Sequence, residues 1–284
     1  MLKTRVLTAL ALAAGLLLAI FFLSQHTWAW LTALLAAIAA WEWGGLTGYQ
    51  KFGQKAWGGV VFVLCIVIMA IKPDWITAAS ALKFEPSGEQ WLYAVAFVFW
   101  VFLVPTMLKH HQALQGLLKS RLIGGLCGLL VIIPTWLAMV QLRSLGAGVF
   151  ITLLCAVFLS DIGAYAAGRS FGKNKLAPSI SPGKTWEGAI GGGIAVILFG
   201  LLMFYKQKSG FDSNTIPLAI VILLLAGFSA VGVLGDLWES LFKRMSGRKD
   251  SSNILPGHGG LLDRIDSLTS TLPCTAFLWL FLAY

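Results

Sequence analysis

Charge is what this chain has least of. Only 12% of its 284 residues are Asp, Glu, Lys or Arg, about half the share of an average soluble domain, and 58% are hydrophobic. A soluble enzyme or a nucleic-acid-binding domain is therefore excluded, despite a formal net charge of +9. Cys-x-x-Cys is absent as well. Cys65, Cys127, Cys155 and Cys274 stand singly within apolar stretches, which leaves neither a zinc knuckle nor a dithiol and makes them small apolar residues. Met1–Leu23 has no small-residue cleavage site, so it reads as a first membrane segment rather than a signal peptide.

What the chain has instead is apolar length. Runs of about 17–25 residues, enough to cross a hydrocarbon core of about 30 Å, recur from end to end. The fold class expected is all-α, a polytopic integral membrane protein of about nine transmembrane helices, at 5–23, 28–46, 56–71, 91–108, 122–140, 146–168, 186–205, 216–235 and 267–283. With the N-terminus cytoplasmic, sixteen Lys and Arg fall on the cytoplasmic side and five opposite. That positive-inside bias fixes the orientation, and an even number of spans breaks it.

The polar residues are unevenly spread. Residues 1–145 read as packing helices with short connections, and 146–284 as a catalytic membrane region with two long cytoplasmic loops, 169–185 and 236–266. Within the second part, Asp161 interrupts LLCAVFLSDIGAYAAG, where a centred carboxylate costs about 2.5–3.5 kcal/mol. Such a group marks a wet cavity or a functional path, or else snorkels and pairs with Arg169. In SPGKTWEGAIGGG, residues 181–193, the GKT is no nucleotide P-loop, because the position that a Walker glycine must occupy is Pro178. Ser181 followed by Pro182 predicts a capped helix start, whose free N–H groups with Lys184 beside them suit a phosphate. A plain membrane-helix start, with Glu187 favoured by the dipole, fits the same residues. Gly188 and Gly191–Gly193 allow close helix packing.

GDLWESLFKR, residues 235–244, puts Asp236, Glu239, Ser240 and Lys243 at i, i+3, i+4 and i+7, on one helix face. A surface Glu239–Lys243 bridge accounts for the pair but not for Asp236 at the end of an apolar run. LPGHGGLLDRIDS, residues 255–267, forms a tight glycine loop and then sets Asp263 and Asp266 three apart on one face of the next helix. Two bare carboxylates so close call for a cation between them, and oxygen-only ligands suit a hard ion such as Mg²⁺. Helix capping with Arg264 as partner is the alternative. Arg264 and Lys249 add positive charge for phosphates.

Taken together, S-L-F-K-R-x4-K-D…P-G-H-G-G-L-L-D-R-I-D, Ser240 to Asp266, resembles the signature of the phosphatidate cytidylyltransferase (CDP-diacylglycerol synthase) family without a gap. SDIGAYAAGRSFGK and SPGKTWEG resemble the same family's pattern. The specific likeness covers about residues 155–270. It implies transfer of a cytidylyl group from CTP to phosphatidic acid, giving CDP-diacylglycerol and pyrophosphate in phospholipid biosynthesis. It also implies a Mg²⁺ requirement, a second monovalent cation such as K⁺, a homodimer, and a cavity facing the cytoplasm from a bacterial inner membrane. By resemblance, Asp236, Asp263 and Asp266 are metal ligands, and the residue reading adds Asp161. Asp236, Asp263, Asp266 and Lys249 are the catalytic candidates. Lys184, Lys243, Arg244, Arg264, His258 and Ser240 are candidates to hold the nucleotide and the lipid headgroup, His258 as a phosphate donor or a loop-shaping residue rather than a base.

On residue grounds alone a cytidylyl- or phosphotransferase acting on another lipid, such as a polyprenol or dolichol, remains, and so do two other classes. An ion-coupled transporter would use Asp161 and Asp236 as coupling carboxylates, but the acids cluster at one interface and no internal repeat is visible. A non-catalytic scaffold gives no reason for the Asp263/Asp266 pair beside five basic residues.

Overall fold

The computed structural model describes residues 2–77, 88–208 and 217–282. Its helices are α1 (Leu2–Phe22), α2 (Gln25–Leu46), α3 (Lys51–Ile71), α4 (Glu89–Lys109), α5 (His111–Leu118), α6 (Arg121–Ser144), α7 (Ala147–Phe171), α8 (Trp186–Lys208), α9 (Leu218–Met245) and α10 (Leu262–Leu282). Seven of them, α2, α3, α4, α6, α7, α8 and α9, are long and apolar enough to cross a membrane; the apolar part of α1 is the shorter Thr8–Phe22. Outward faces are greasy, as in the stripe Trp186, Ile190, Ile194, Leu198 and Leu202 on α8, each more than half exposed. Such a stripe is suited to lipid or to another apolar protein face rather than to water. The chain is an α-helical membrane protein. Helices stand where the sequence reading expects spans, although part of the expected 72–90 connection lies outside the described residues.

The centre of the bundle is α6, whose face from Val131 to Leu142 is continuously buried, packed by α2 and α10. α4 carries one wide π turn, Phe99–Leu103, just ahead of Pro105. Proline has no N–H for the regular ladder, and a wider turn before it absorbs the mismatch.

Glycine decides how α7, α8 and α9 meet. A Cβ on Gly163 would stand 2.8 Å from Ala195 Cβ, one on Gly188 2.9 Å from Ala164 O, and one on Gly192 2.7 Å from Ser160 O. The expected close packing at Gly188, Gly191 and Gly192 is therefore contact between α7 and α8 within one chain, while Gly193 meets only Ser229 Oγ, at 3.9 Å.

Two expected boundaries are corrected. The helix predicted from Ser181 begins at Trp186. Ser181–Thr185 (β2) instead pairs antiparallel with Lys175–Ala177 (β1), Lys175 opposite Thr185 and Ala177 opposite Ser181. Pro182 is admissible there because a two-stranded ribbon leaves an edge that needs no N–H. The cap is Thr185, whose Oγ1 accepts from Gly188 N at 3.1 Å. The second correction concerns the long loop. It spans 246–261 rather than 236–266, because α9 runs on to Met245 and α10 starts at Leu262.

Candidate active site

The helix ends that carry the polar residues converge at one end of the bundle. There α7, β2, α8, α9 and α10 enclose a cavity of about 440 Å³, within the range of small-molecule sites. Its polar wall includes Ser160, Asp161, Arg169, Lys184, Ser229 and Asp236, and Val157, Ala164, Phe228 and Val233 line the apolar side. Ser160 Oγ and Ser229 Oγ lie 3.1 Å apart across it. The hairpin places Lys184 by two ties: Arg244 Nε donates to Ile180 O at 3.2 Å, and Glu187 accepts from Asn174 N and Nδ2 at 2.7–3.2 Å. Ile180, at the hairpin tip, is buried.

Lys184 Nζ closes on Asp236 Oδ2 at 2.5 Å, and Ser240 Oγ donates to Asp236 Oδ1 at 3.2 Å. Asp161 opens into the same cavity and feels the negative charge of Asp236 and the positive charge of Lys184 and Arg264. Its alternative partner, Arg169, donates instead to Tyr165 Oη at 3.0 Å. Asp266 is close enough to Asp236 for mutual repulsion, and its Oδ1 accepts from Ser267 N at 2.8 Å. Gly235 makes that approach possible, because a Cβ there would stand 2.5 Å from Asp266 O and from Ser270 Oγ.

Behind this wall lies a buried ionic group. Lys243 Nζ donates to Glu239 Oε2 at 3.1 Å and to Asp263 Oδ1 at 2.7 Å. Asp263 Oδ2 accepts from Gly260 N at 2.8 Å and from Ser251 N at 2.9 Å, with Ser251 Oγ at 3.0 Å. The expected surface bridge between Glu239 and Lys243 is thus interior. Lys243, expected on a phosphate, is enclosed by two carboxylates. Glu239 Oε1 is buried without a hydrogen-bond partner among the described residues.

The glycine loop is as tight as its sequence suggests. His258 N donates to Leu255 O at 2.9 Å with Pro256 and Gly257 between, and Gly257 has φ +77, the arrangement of a Pro-Gly type II turn. Leu255 N then bonds Gly259 O, and Gly259 has φ +83. Arg264 Nε donates to His258 O at 3.2 Å. Of the candidates, Asp161, Lys184 and Asp236 line the cavity; Ser240, Lys243, Asp263 and Asp266 stand behind its wall, and Arg244, Lys249, His258 and Arg264 lie outside it. Arg244, Lys249 and Arg264 are exposed.

A sequence profile of the Cytidylyltransferase family matches residues 3–282. The chain belongs to that family. It is similar over nearly its whole length to the phosphatidate cytidylyltransferase of Pseudomonas aeruginosa, 39% identical over 98% of this chain and 97% of that one. It is also similar to the phosphatidate cytidylyltransferase of Haemophilus influenzae, 34% identical over 99% of each. A third phosphatidate cytidylyltransferase, from Staphylococcus haemolyticus, is 47% identical over 46% of this chain and 48% of its own length. As a member of the cytidylyltransferase family the chain is a nucleotidyltransferase.

A hard divalent ion can be tested against these oxygens. Among the described residues no three Asp, Glu, His or Cys side chains stand together as a ready protein cage. Mg²⁺ rarely needs one, since one or two carboxylates plus substrate phosphates and water are its usual shell. Asp236 and Asp266, repelling each other beside the cavity, fit that donor set. Asp236 is held only by the part-exposed Lys184 and by the Ser240 hydroxyl, whereas Asp263 fits less well, because Lys243, Ser251 and Gly260 all donate to its buried oxygens.

One residue bonded to the glycine loop escaped the sequence reading. Glu42, on α2, reaches across to the glycine loop and accepts hydrogen bonds from Ser252 Oγ, Leu261 N and Leu262 N at 2.6–2.9 Å. Its signal is a carboxylate alone in AAIAAWEWGGL, a stretch otherwise apolar.

Proposed function

We propose that this nucleotidyltransferase transfers the cytidylyl group of CTP to phosphatidic acid, giving CDP-diacylglycerol and pyrophosphate, at the cytoplasmic face of a bacterial inner membrane. The observation that carries the reading is the two-sided cavity, with Lys184, Asp236 and Asp161 on one wall and apolar side chains on the other. A water-soluble triphosphate and a two-chain lipid need such a meeting place. The names of the similar proteins support the same substrates.

In this reading a phosphate oxygen of phosphatidic acid attacks the α-phosphorus of CTP, a new P–O bond forms, and the bond to the β-phosphate oxygen breaks, releasing pyrophosphate. The attacking phosphate is mostly ionised at neutral pH, its second pKa being about 6. No strong general base is required, and His258 is not assigned that work. The step needs alignment and charge neutralisation. Lys184 supplies positive charge at the cavity wall and exchanges Asp236 for a phosphate. Arg264, Arg244 and Lys249 raise the local positive potential from outside it. Mg²⁺, held by Asp236 and Asp266 with Asp161 facing the same space, supplies neutralisation of the triphosphate when bound. Asp263 serves the site by holding Lys243 and the glycine loop. For a monovalent cation such as K⁺, the oxygen on offer is Glu239 Oε1. The lipid enters laterally, beside Asp161.

Nine spans, a cytoplasmic N-terminus and a homodimer complete the proposal; light scattering in detergent tests the dimer. The decisive experiment incubates purified protein with phosphatidic acid, labelled CTP and Mg²⁺ in mixed micelles. Label should enter the lipid phase, stop with EDTA and return with added Mg²⁺. Asp161→Asn and Asp236→Asn should each lower the rate about 10²-fold or more. Folded wild-type protein that labels no lipid overturns the reaction, and full activity in Asp161→Asn removes that residue from the site.

A further inference from the structure

Helix α10 starts without a cap of its own. Leu262 is its first residue, after Gly260 and Leu261, and none of the three has a side-chain oxygen for the free N–H groups of a first turn. The oxygens come from Glu42, more than two hundred residues earlier. Its Oε1 accepts from Leu261 N at 2.9 Å and Ser252 Oγ at 2.6 Å, and its Oε2 from Leu262 N at 2.7 Å. Ser251 Oγ lies 3.1 Å from Glu42 Oε2 and 3.0 Å from Asp263 Oδ2, one hydroxyl hydrogen between two carboxylates. Glu42 is 2% exposed and has no ion pair among the described residues. Its charge is balanced by these donors and by the positive end of the α10 dipole.

We infer that Glu42 is a positioning residue for the reaction: it caps α10 from α2 and so sets where Asp263, Arg264 and Asp266 stand. The loop is built around it. A Cβ on Gly260 would lie 1.9 Å from Ser251 Oγ and 2.6 Å from Glu42 Oε1, so the second glycine of the Gly259-Gly260 pair leaves room for this carboxylate. Asp263 holds the same loop from the other side through Gly260 N and Ser251 N. Release of Glu42 frees the start of the helix whose next two turns carry Asp263 and Asp266. A carboxylate is required rather than an amide. Each Glu42 oxygen faces a backbone N–H, and glutamine would set an NH₂ against one of them, donor against donor.

The inference rests on the cytidylyl-transfer reading for its kinetic readout, and the test separates the two. Full-length wild type, Glu42→Gln and Glu42→Asp are compared by hydrogen exchange and by steady-state transfer of labelled CTP to phosphatidic acid. In Glu42→Gln, exchange at Leu261 and Leu262 should rise about tenfold or more, as loss of roughly one buried hydrogen bond demands, with α6 as protected as before. Turnover should fall about 10²-fold, the scale of a misplacement near 1 Å, with KM for the lipid unchanged. Glu42→Asp keeps both oxygens on a shorter reach and should recover part of the turnover and part of the protection. Wild-type kinetics in Glu42→Gln overturn the inference. So does faster exchange in α6 to the same degree as in the loop, with normal turnover per folded molecule, because Glu42 is then a stability residue only. If the wild type moves no label, the assigned reaction fails, and the capping role is decided by the exchange contrast alone.

Discussion

Two lysines at this site stand in opposite situations. Lys184 pairs with Asp236 while both side chains remain a quarter or more exposed, and an ion pair of that kind adds little to stability. Lys243 sits between Glu239 and Asp263 with 11% of its side chain exposed, where loss of one partner strands a buried charge at a cost of about 3–5 kcal/mol. Lys184→Gln should therefore leave the detergent melting temperature unchanged and lower kcat/KM for CTP about 10²–10³-fold. Lys243→Met should do the reverse in order: the folded yield and melting temperature fall first. Unfolding followed by tryptophan fluorescence, beside the transfer assay, separates the two. A large drop in melting temperature for Lys184→Gln contradicts its assignment to the cavity. Sequence reading gave both lysines the same work on phosphates, because a lysine's spacing does not reveal how many carboxylates surround it.

At the scale of elements, helical periodicity was readable and pairing was not. Asp236, Glu239, Ser240 and Lys243 share a face of α9 as their spacing demands, and the small residues of α7 and α8 meet as expected. The hairpin was missed because Ser181-Pro182 satisfies a helix start and a ribbon edge equally well, and only pairing with Lys175–Ala177 decides between them. Glu42 was passed over for a related reason: its donors are far along the chain, and no local pattern points to them. The true cap of α8, Thr185, yields a prediction of its own. Thr185→Val keeps the shape and removes Oγ1, which should cost about 1 kcal/mol of stability and loosen the hairpin that presents Lys184. Thermal unfolding reads the first effect and KM for CTP the second; no change in either means the cap lies elsewhere.

For the whole molecule, the candidate site gathers at one end of the bundle. Lys184, Asp236, the glycine loop and the C-terminal end of α2 share one end of the bundle, and Arg143 closes the other by donating to Ile20 O and to Gln25 Oε1. With nine spans and the N-terminus cytoplasmic, a phosphatase reporter fused after Tyr284 should be active in the periplasm, and a fluorescent one dark. The opposite result redraws the topology and turns the site outward. The expected packing part, 1–145, and catalytic part, 146–284, are joined by the reach of Glu42 into the glycine loop.

That reach also has a consequence in time. Chains are made from the N-terminus at about 5–20 residues per second. Leu261 and Leu262 follow Glu42 by 219 and 220 residues, so the ribosome delivers them roughly 10–45 s after it. Throughout that interval Glu42 lacks the Leu261 and Leu262 N–H groups that donate to it in the folded chain. With Glu42 as its cap, the start of α10 is fixed only when that helix meets α2 and takes Glu42 out of the water.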